Sequence, residues 1–460
     1  MIPVNILMLV YVLGIVLLLC QACITKKDVP LAALFTWVLA GFPIVANLNF
    51  PRDLDYSALL TSTVTDEWPF ELLLLARLSN VILIVMLAIV VLRKIKGAVP
   101  RNGLWLLLSF FLIPLSSILS SLFGTSQSVL DFSLLRPIYI MSLGFFIANE
   151  YGALLVHHIK SWCFVYVIGS MLAVVLIPEY SVLRDDPNSY LNGTRLYGIS
   201  SHPNALGPIA FLYLALDFFI DKPSRFKLIK RALAFCVVVW AQSKGIWFVA
   251  LVAAAIYMLF RFEPQGTAIN DLSNVAYRIR KRSFLILSIL FIASSALAGF
   301  LLFFSPTLPK NVVTLTGRVE LWAATLAQWG VNPVFGYGPG LWDDAFRYSY
   351  FREDNVYAGH AHNMFIQALG ATGLVGFFSL LFYVFAQYKI AVNSYLRFSG
   401  LSLVIFVFML GRCITESPFR TTNLDESMFV NLAVFAILIH LNSKTNAGSA
   451  CHSSGVLPCP

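Results

Sequence analysis

The chain has 460 residues, 58% of them hydrophobic and only 12% charged, with a formal net charge of +9 and a mean hydropathy of +0.79. A soluble globular chain carries about 25% charged residues to cover its surface, and this composition excludes one. Apolar runs near the roughly 20 residues that cross a hydrocarbon core recur throughout, so the chain reads as an all-α, polytopic transmembrane helical bundle.

Taken in order, the expected spans are roughly 3–23, 31–49, 71–92, 103–122, 134–149, 159–177, 203–220, 229–242, 244–260, 284–304, 362–387, 399–415 and 427–442. The first lacks a basic leader and a small-residue cleavage site, and reads as a retained helix. Segments 229–242 and 244–260 are joined only by Ser243-Lys244-Gly245. As a tight pair they make thirteen spans; as one broken element, twelve. Loop lysines and arginines orient the bundle. With the N-terminus outside, loops 24–30, 93–102, 150–160, 221–231, 261–283 and 388–398 and the C-terminal tail lie inside, and they hold most of the basic residues. Thirteen spans keep this alternation and twelve break it. The positive charge is then a topology signal, and nucleic acid is not an expected partner.

On this layout residues 1–304 carry helices one to ten, 305–361 form a large periplasmic loop, 362–442 carry helices eleven to thirteen and 443–460 form a cytoplasmic tail. Cys20, Cys163, Cys236 and Cys413 lie in or beside spans, as small apolar residues do. Cys451 and Cys459 fall in the tail, where thiols stay reduced.

Inner loops are basic and otherwise plain, whereas the outer ones carry chemistry. The first of these, 178–202, contains NGTRLYGISSHPNALG, with Arg195 seven residues before His202. Ser201 or His202 caps the next span and Pro203 occupies its first turn. Lys244 in the SKG hairpin reaches the same face.

The large loop is rich in aromatic residues, which argues against disorder and for function. Within it TGRVELWAATLAQWG reads as an amphipathic helix, with Val319, Trp322, Leu326 and Trp329 at helical spacing. Thr316 or Gly317 caps its start, and Gly330 with Asn332-Pro333 ends it. Trp322 suits a membrane-interface anchor or a sugar-stacking wall. Arg318 sits in the first turn, where the macrodipole disfavours a cation by roughly a few tenths of a kcal/mol. The same turn offers free N–H groups, and with the guanidinium makes an anion site. NPVFGYGPG, which includes Tyr337, follows as a rigid turn able to carry a binding edge.

GHAHNMFIQALG places His360 and His362 where the next span begins. A His-x-His zinc pair needs a third ligand, for which Glu353, Asp354 and His202 are the visible candidates; a metal-free site is the expectation. In ESPFRTTNLDE, Glu416 has Arg412 one turn earlier as its structural partner, and Arg420 is a further outer cation. Arg77 and Arg136 lie just inside spans, where ionisable groups are functional candidates. Together these residues make a cationic, aromatic-walled pocket with a titratable histidine, which fits a phosphate-bearing, sugar-bearing substrate. A transporter or flippase of polyprenol-linked or other polar substrates is the rival reading. It would keep paired charges near the midplane on broken helices, and no such pairs are read.

Three of these motifs resemble the O-antigen ligase and polymerase superfamily. AHNMFIQALGATGLVGFF is similar to its His-Asn signature before a Gly-rich helix start. TGRVELWAATLAQWGVNPVFGYGPG resembles its Gly-Arg, Trp, Asn-Pro and Gly-Tyr-Gly segment, and NGTRLYGISSHPNALG its Arg, Gly and His-Pro-Asn segment. The three stand in the family's order, and the layout covers nearly the whole chain. The resemblance implies a bacterial inner-membrane glycosyltransferase that moves a glycan from undecaprenyl pyrophosphate to an acceptor sugar hydroxyl on the periplasmic side, inverting the anomeric centre without metal or other cofactor. In that picture Arg195 and Arg318 hold the pyrophosphate and His362 is the catalytic base. Only these three are carried over; Asn363, His202, Lys244, Glu416, Arg420, Trp322 and Tyr337 are candidate supporting residues read from their place on the same face. The implied product is lipopolysaccharide O-antigen or exopolysaccharide, and the acceptor a glycan or lipid A-core. Besides membrane lipids, a flippase and chain-length regulator are the implied partners. Ligase, polymerase and protein-glycosylation ligase share this chemistry; the long aromatic loop, suited to holding a growing chain, favours polymerase.

Overall fold

A computed structural model describes residues 4–25, 29–49, 69–94, 99–126, 131–184, 189, 193–220, 226–261, 318–343, 346–347, 350, 359–395, 400–420 and 423–453. The expected span at 284–304, the cap candidates Thr316 and Gly317, Glu353, Asp354 and Cys459 lie outside them. The helices are α1 (Val4–Thr25), α2 (Val29–Asn49), α3 (Phe70–Lys94), α4 (Leu104–Phe123), α5 (Arg136–Leu176), α6 (Pro203–Phe219), α7 (Lys227–Ala241), α8 (Lys244–Arg261), α9 (Arg318–Val331), α10 (Met364–Ser394), α11 (Leu401–Thr415) and α12 (Glu426–Ser453). Among the described residues six helices are long and apolar enough to cross a membrane, and four shorter apolar helices accompany them. The chain is an all-α, multi-pass membrane protein. Its strands, β1 (Val182–Leu183) and β2 (Arg195–Leu196), pair antiparallel and carry Arg195.

The expected spans at 134–149 and 159–177 fall within α5, which breaks at Tyr151 (φ −126°, ψ 33°). Pro137 near its start lines the main cavity, and Ser170 accepts from the Ile199 N–H in the loop before α6. A straight helix would put about 50 Å between those two positions, so the break lets both halves reach one end of the molecule. The segments around Ser243 are two helices. Gln242 ends α7 in the left-handed region (φ 51°), and the Trp247 indole donates to the Val238 carbonyl across the turn (3.0 Å).

Helix α10 is also broken, at Gly373 (φ 62°, ψ −157°). The backbone groups released there would be costly inside a membrane, and the loop after α9 takes them up. Tyr337 N–H donates to Gly370 O (2.8 Å) and Gly338 N–H to Ala371 O (3.0 Å), while Leu374 N–H donates to Pro333 O (2.8 Å) and Val375 N–H to Val334 O (3.2 Å). The Ser120 hydroxyl of α4 lies 2.6 Å from both the Phe335 and Ala371 carbonyls. Gly336 (φ 73°) lets the two backbones meet, since a Cβ there would sit 2.7 Å from Ala371 C. NPVFGYGPG is therefore a strap across a broken helix, and Tyr337 packs its ring on Phe346 (5.2 Å).

Helix α9 buries Leu321, Ala324 and Thr325 against α10 and leaves Leu326 exposed, so its packed face is rotated from the expected Val319/Trp322/Leu326/Trp329 stripe. Paired charges do occur in the bundle. Asp217, 2% exposed, is held by Lys160 (2.7 Å) and Arg231 (2.6 Å). This triad lies where α6 ends and α7 begins, away from mid-span. Arg412, also buried, donates to Ser427 (3.1 Å) and Asn431 (3.4 Å) on α12. The expected Glu416–Arg412 side-chain pair is replaced by these bonds; only the Glu416 N–H reaches the Arg412 carbonyl, at 2.8 Å. Arg136 ties α5 to Asn80 (3.0 Å) and Asn423 (3.3 Å), and Arg77 is exposed. Cys163 and Cys413 are buried free thiols, and Cys20 and Cys236 exposed ones.

Candidate active site

Asn363 caps α10: its Oδ1 accepts from the N–H groups of Phe365 (3.0 Å) and Ile366 (3.1 Å), and its Nδ2 donates to Ile414 O on α11 (3.2 Å). One residue earlier, His362 adopts φ 48°, a left-handed conformation that costs a non-glycine residue about 1–3 kcal/mol. Local bonds hold it there. The His362 N–H donates to His360 Nδ1 (3.0 Å). Between the two histidines the Ala361 N–H donates to Gln367 Oε1 (2.9 Å), and the Trp322 indole donates to the Ala361 carbonyl (2.8 Å). Trp322 thus positions the histidine turn from α9.

Glu416 follows the last turn of α11 and organises the site. Its Oε2 lies 2.9 Å from His362 Nδ1 and 3.6 Å from His360 Nε2. Its Oε1 accepts from Asn204 Nδ2 (2.7 Å) and lies 3.8 Å from Arg318 Nη2. Asn204 in turn accepts from Arg195 Nη2 (3.4 Å), which also donates to Ala241 O (3.4 Å). One carboxylate thus connects His362, His360, Arg318 and, through Asn204, Arg195, which come from three separate segments. Burial alone would raise its carboxyl. The His362 hydrogen bond, then the charges of His362, His360 and Arg318, overcome this and hold it down to about 2. His360, a quarter of its side chain open to the cavity but its ring set deep in the protein, is pushed by burial and then by His362 down to about 3, against the pull of Glu416.

The hydrogen bonds assign the tautomers. His360 Nδ1 accepts a backbone N–H, so the proton of its neutral ring is on Nε2, facing Glu416. With Glu416 anionic, His362 places its Nδ1–H on the carboxylate and keeps Nε2 basic. His360, His362 and Glu416 also offer three ligand atoms within 4.8 Å of one another, a spacing open to a metal ion. Among the described residues the third group is Glu416 and not His202; Glu353 and Asp354, the other expected candidates, lie outside them. The His362 Nδ1–H bond to Glu416 leaves Nε2 open to accept a proton or to ligate a cation, whereas His360 Nε2 could ligate only by giving up its proton or the bond at Nδ1.

His362, His360, Glu416, Arg420, His202 and Asn204 line a cavity of about 780 Å³. His202 caps α6 by accepting the Asn204 N–H at Nδ1 (3.0 Å), and its ring packs against Tyr197 (5.3 Å). Arg420 is a cavity cation whose guanidinium is pushed down to about 10 by its depth and then by Arg347. Arg195 and Arg318 are not among the residues that line this cavity; Arg318 approaches Glu416 directly and Arg195 is linked to it through Asn204. Lys244 is exposed and also outside the wall, although its neighbour Gly245 packs on Thr415 beside Glu416. Tyr337 belongs to the strap. The sequence places His360 beside His362 but gives it no role beyond a zinc pair, and it gives none to Asn204 or Gln367; the two-residue offset of His360 from His362, which allows the N–H to Nδ1 bond, was the one visible signal.

Residues 232–381 match the family model described as O-antigen ligase. No curated protein matches the chain.

Proposed function

We propose that this chain, which carries an O-antigen ligase domain and so falls with the O-antigen ligase and polymerase superfamily, transfers a glycan from undecaprenyl pyrophosphate to an acceptor sugar hydroxyl at the periplasmic face of the inner membrane. The observation that carries this reading is the shared carboxylate, with a histidine on one oxygen of Glu416, Arg318 beside the other, and Arg195 linked to that second oxygen through Asn204. His362 Nε2 takes the proton from the acceptor hydroxyl. The acceptor oxygen bonds to the anomeric carbon as the bond from that carbon to the pyrophosphate oxygen breaks, on the opposite face and with inversion. The electron pair leaves on the pyrophosphate, and Arg195 and Arg318 neutralise the charge that develops. Glu416 orients the imidazole and stabilises the imidazolium, the part a carboxylate plays in other base-assisted transfers. No step calls on a metal.

Ligase and polymerase share this chemistry and differ in acceptor. Polymerase is the form favoured here, from the aromatic content of the loop after 305, much of which lies outside the described residues. Deletion of the chain followed by electrophoresis of the cell's glycans tests the proposal. Core capped with a single repeat unit is the result expected for a polymerase. Uncapped core with carrier-linked chains assigns a ligase, and loss of secreted polymer an exopolysaccharide polymerase. Unchanged glycans would sink the transferase reading.

A further inference from the structure

Several hydrogen-bond donors in the cavity wall have no acceptor among the described residues. Gln367, 3% exposed, accepts the Ala361 N–H at Oε1 (2.9 Å), and its amide nitrogen has no partner there. The buried hydroxyl of Ser417, next to Glu416, has none. The Arg420 guanidinium makes no hydrogen bond or ion pair with a described residue. Arg412, 4% exposed, donates only to the neutral Ser427 (3.1 Å) and Asn431 (3.4 Å), and its Nε has no partner. All four residues line the cavity. Two of them flank the histidine turn: Gln367 holds the Ala361 N–H, and a Cβ on Gly359 would sit 3.3 Å from Arg420 Nη1.

The rest of the wall is apolar or already supplied with donors. Phe110, Ile113 and Pro114 of α4 and Ala368, Ala371 and Leu380 of α10 supply hydrocarbon. Glu416 accepts from Asn204 and bonds His362, Asp131 accepts from Ser133, and Asp425 accepts from the Met428 N–H. Arg136 adds positive charge beside Asp131, and Arg347 beside Arg420, where Asp343 and Asp425 act in the opposite sense. An alkyl chain laid against the four donors would cover them without bonding them, which is costly. A neutral hydroxyl would bond them and leave two guanidinium charges without an anion. A carboxylate or phosphate supplies both the acceptor oxygens and the charge, and a guanidinium fork grips such a group with two parallel bonds.

Resting on the transferase reading, we propose that the acceptor is an acidic glycan: Arg420 and the Gln367 amide bind a carboxylate or phosphate monoester on it and so set one of its hydroxyls against His362 Nε2. Arg412 and Ser417 make the surrounding wall positive and rich in donors. The acid is held apart from the reacting hydroxyl, so the acceptor still meets the donor. His362 and Arg318 lie against the two oxygens of one carboxylate, 2.9 and 3.8 Å away, and the anomeric carbon sits between them.

The test uses the full chain in liposomes, with carrier-linked donor and glycan acceptor both extracted from cells lacking the protein. One portion of the acceptor has its carboxyl groups reduced to alcohols, and another is treated with phosphatase. One of these treatments should raise the wild-type acceptor KM about ten- to hundred-fold and so identify the group. Arg420→Gln should raise the KM of untreated acceptor by a similar factor, with donor KM within two-fold and the thermal midpoint unchanged, and Arg420→Lys should recover part of the loss. Once the acid is removed from the acceptor, Arg420→Gln should add less than two-fold. An acceptor KM that neither treatment changes overturns the proposal without any variant. So does an Arg420→Gln chain with unchanged acceptor KM, a raised donor KM instead, or a loss that persists in full on the treated acceptor. Absence of any transfer by the wild-type chain is a separate result, which overturns the transferase reading itself.

Discussion

At the scale of single residues, Glu416 has two neighbourhoods, one for each oxygen. Its Oε2 meets the proton-carrying faces of His362 and His360, and its Oε1 meets Asn204 and Arg318. Glu416→Gln leaves the shape and removes the charge, so the tautomer of His362 is no longer set by an anion. Glycan transfer should fall about 10²–10⁴-fold; transfer near the wild-type rate would remove Glu416 from the mechanism. The same variant has a stability signature. The folded carboxyl titrates at about 2, below the roughly 4.3 of an unfolded glutamate. Its stabilisation is therefore fully present above that unfolded value and is lost as pH falls through about 2. His360 acts in the same direction over a higher window. Its folded value, about 3, lies below the roughly 6.5 of a free imidazole, so the unfolded chain binds that proton first and stability falls from pH 6.5 toward 3. Melting in detergent should show acid destabilisation over both windows in the wild type, and Glu416→Gln should lose the lower one while the His360 window, freed of the carboxylate's pull, extends to lower pH.

At the scale of elements, the site depends on two breaks in regular structure. The turn before α10 holds His362 at positive φ, and the break at Gly373 lets the 332–340 strap cross the helix and pack beside α4. Gly373→Ala tests the second. Its φ and ψ are a glycine combination, and a Cβ would sit 2.3 Å from the Val334 carbonyl oxygen. The strain alone costs about 1–3 kcal/mol. The thermal midpoint should fall by several degrees, with glycan transfer reduced alongside because the strap positions α9 and hence Trp322 and Arg318. An unchanged midpoint would mean that the strap does not support α10. The apolar helices among the described residues were legible because each needs only a run of apolar residues. The strap was not, because its bonds are backbone to backbone across more than 30 residues and leave no side-chain pattern beyond the glycines. Glu416 was misread for a related reason: Arg412 lies one turn away in sequence, whereas His362 lies 54 residues away, and only the fold shows that Arg412 turns to Ser427 and Asn431.

For the whole molecule, long and short apolar helices build a membrane bundle in which the chemistry-bearing loops meet at one site. The loops 193–204, 359–363 and 416–425 were separate motifs in the sequence, and the fold joins them at one carboxylate beside one large cavity. Their convergence was foreshadowed by their shared side of the expected topology; the division between an arginine side and a cavity side was not, since it needs three-dimensional placement of Glu416. The most direct measurement is transfer by the purified chain in liposomes with EDTA throughout, using carrier-linked glycan as donor and acceptor extracted from deletion cells. The wild type should form the linked product and release undecaprenyl pyrophosphate, and His362→Ala, inserted at equal abundance, should form none. Product formation by His362→Ala at the wild-type rate, or a wild type inactive until zinc is restored, would contradict a metal-free transfer with His362 as its base.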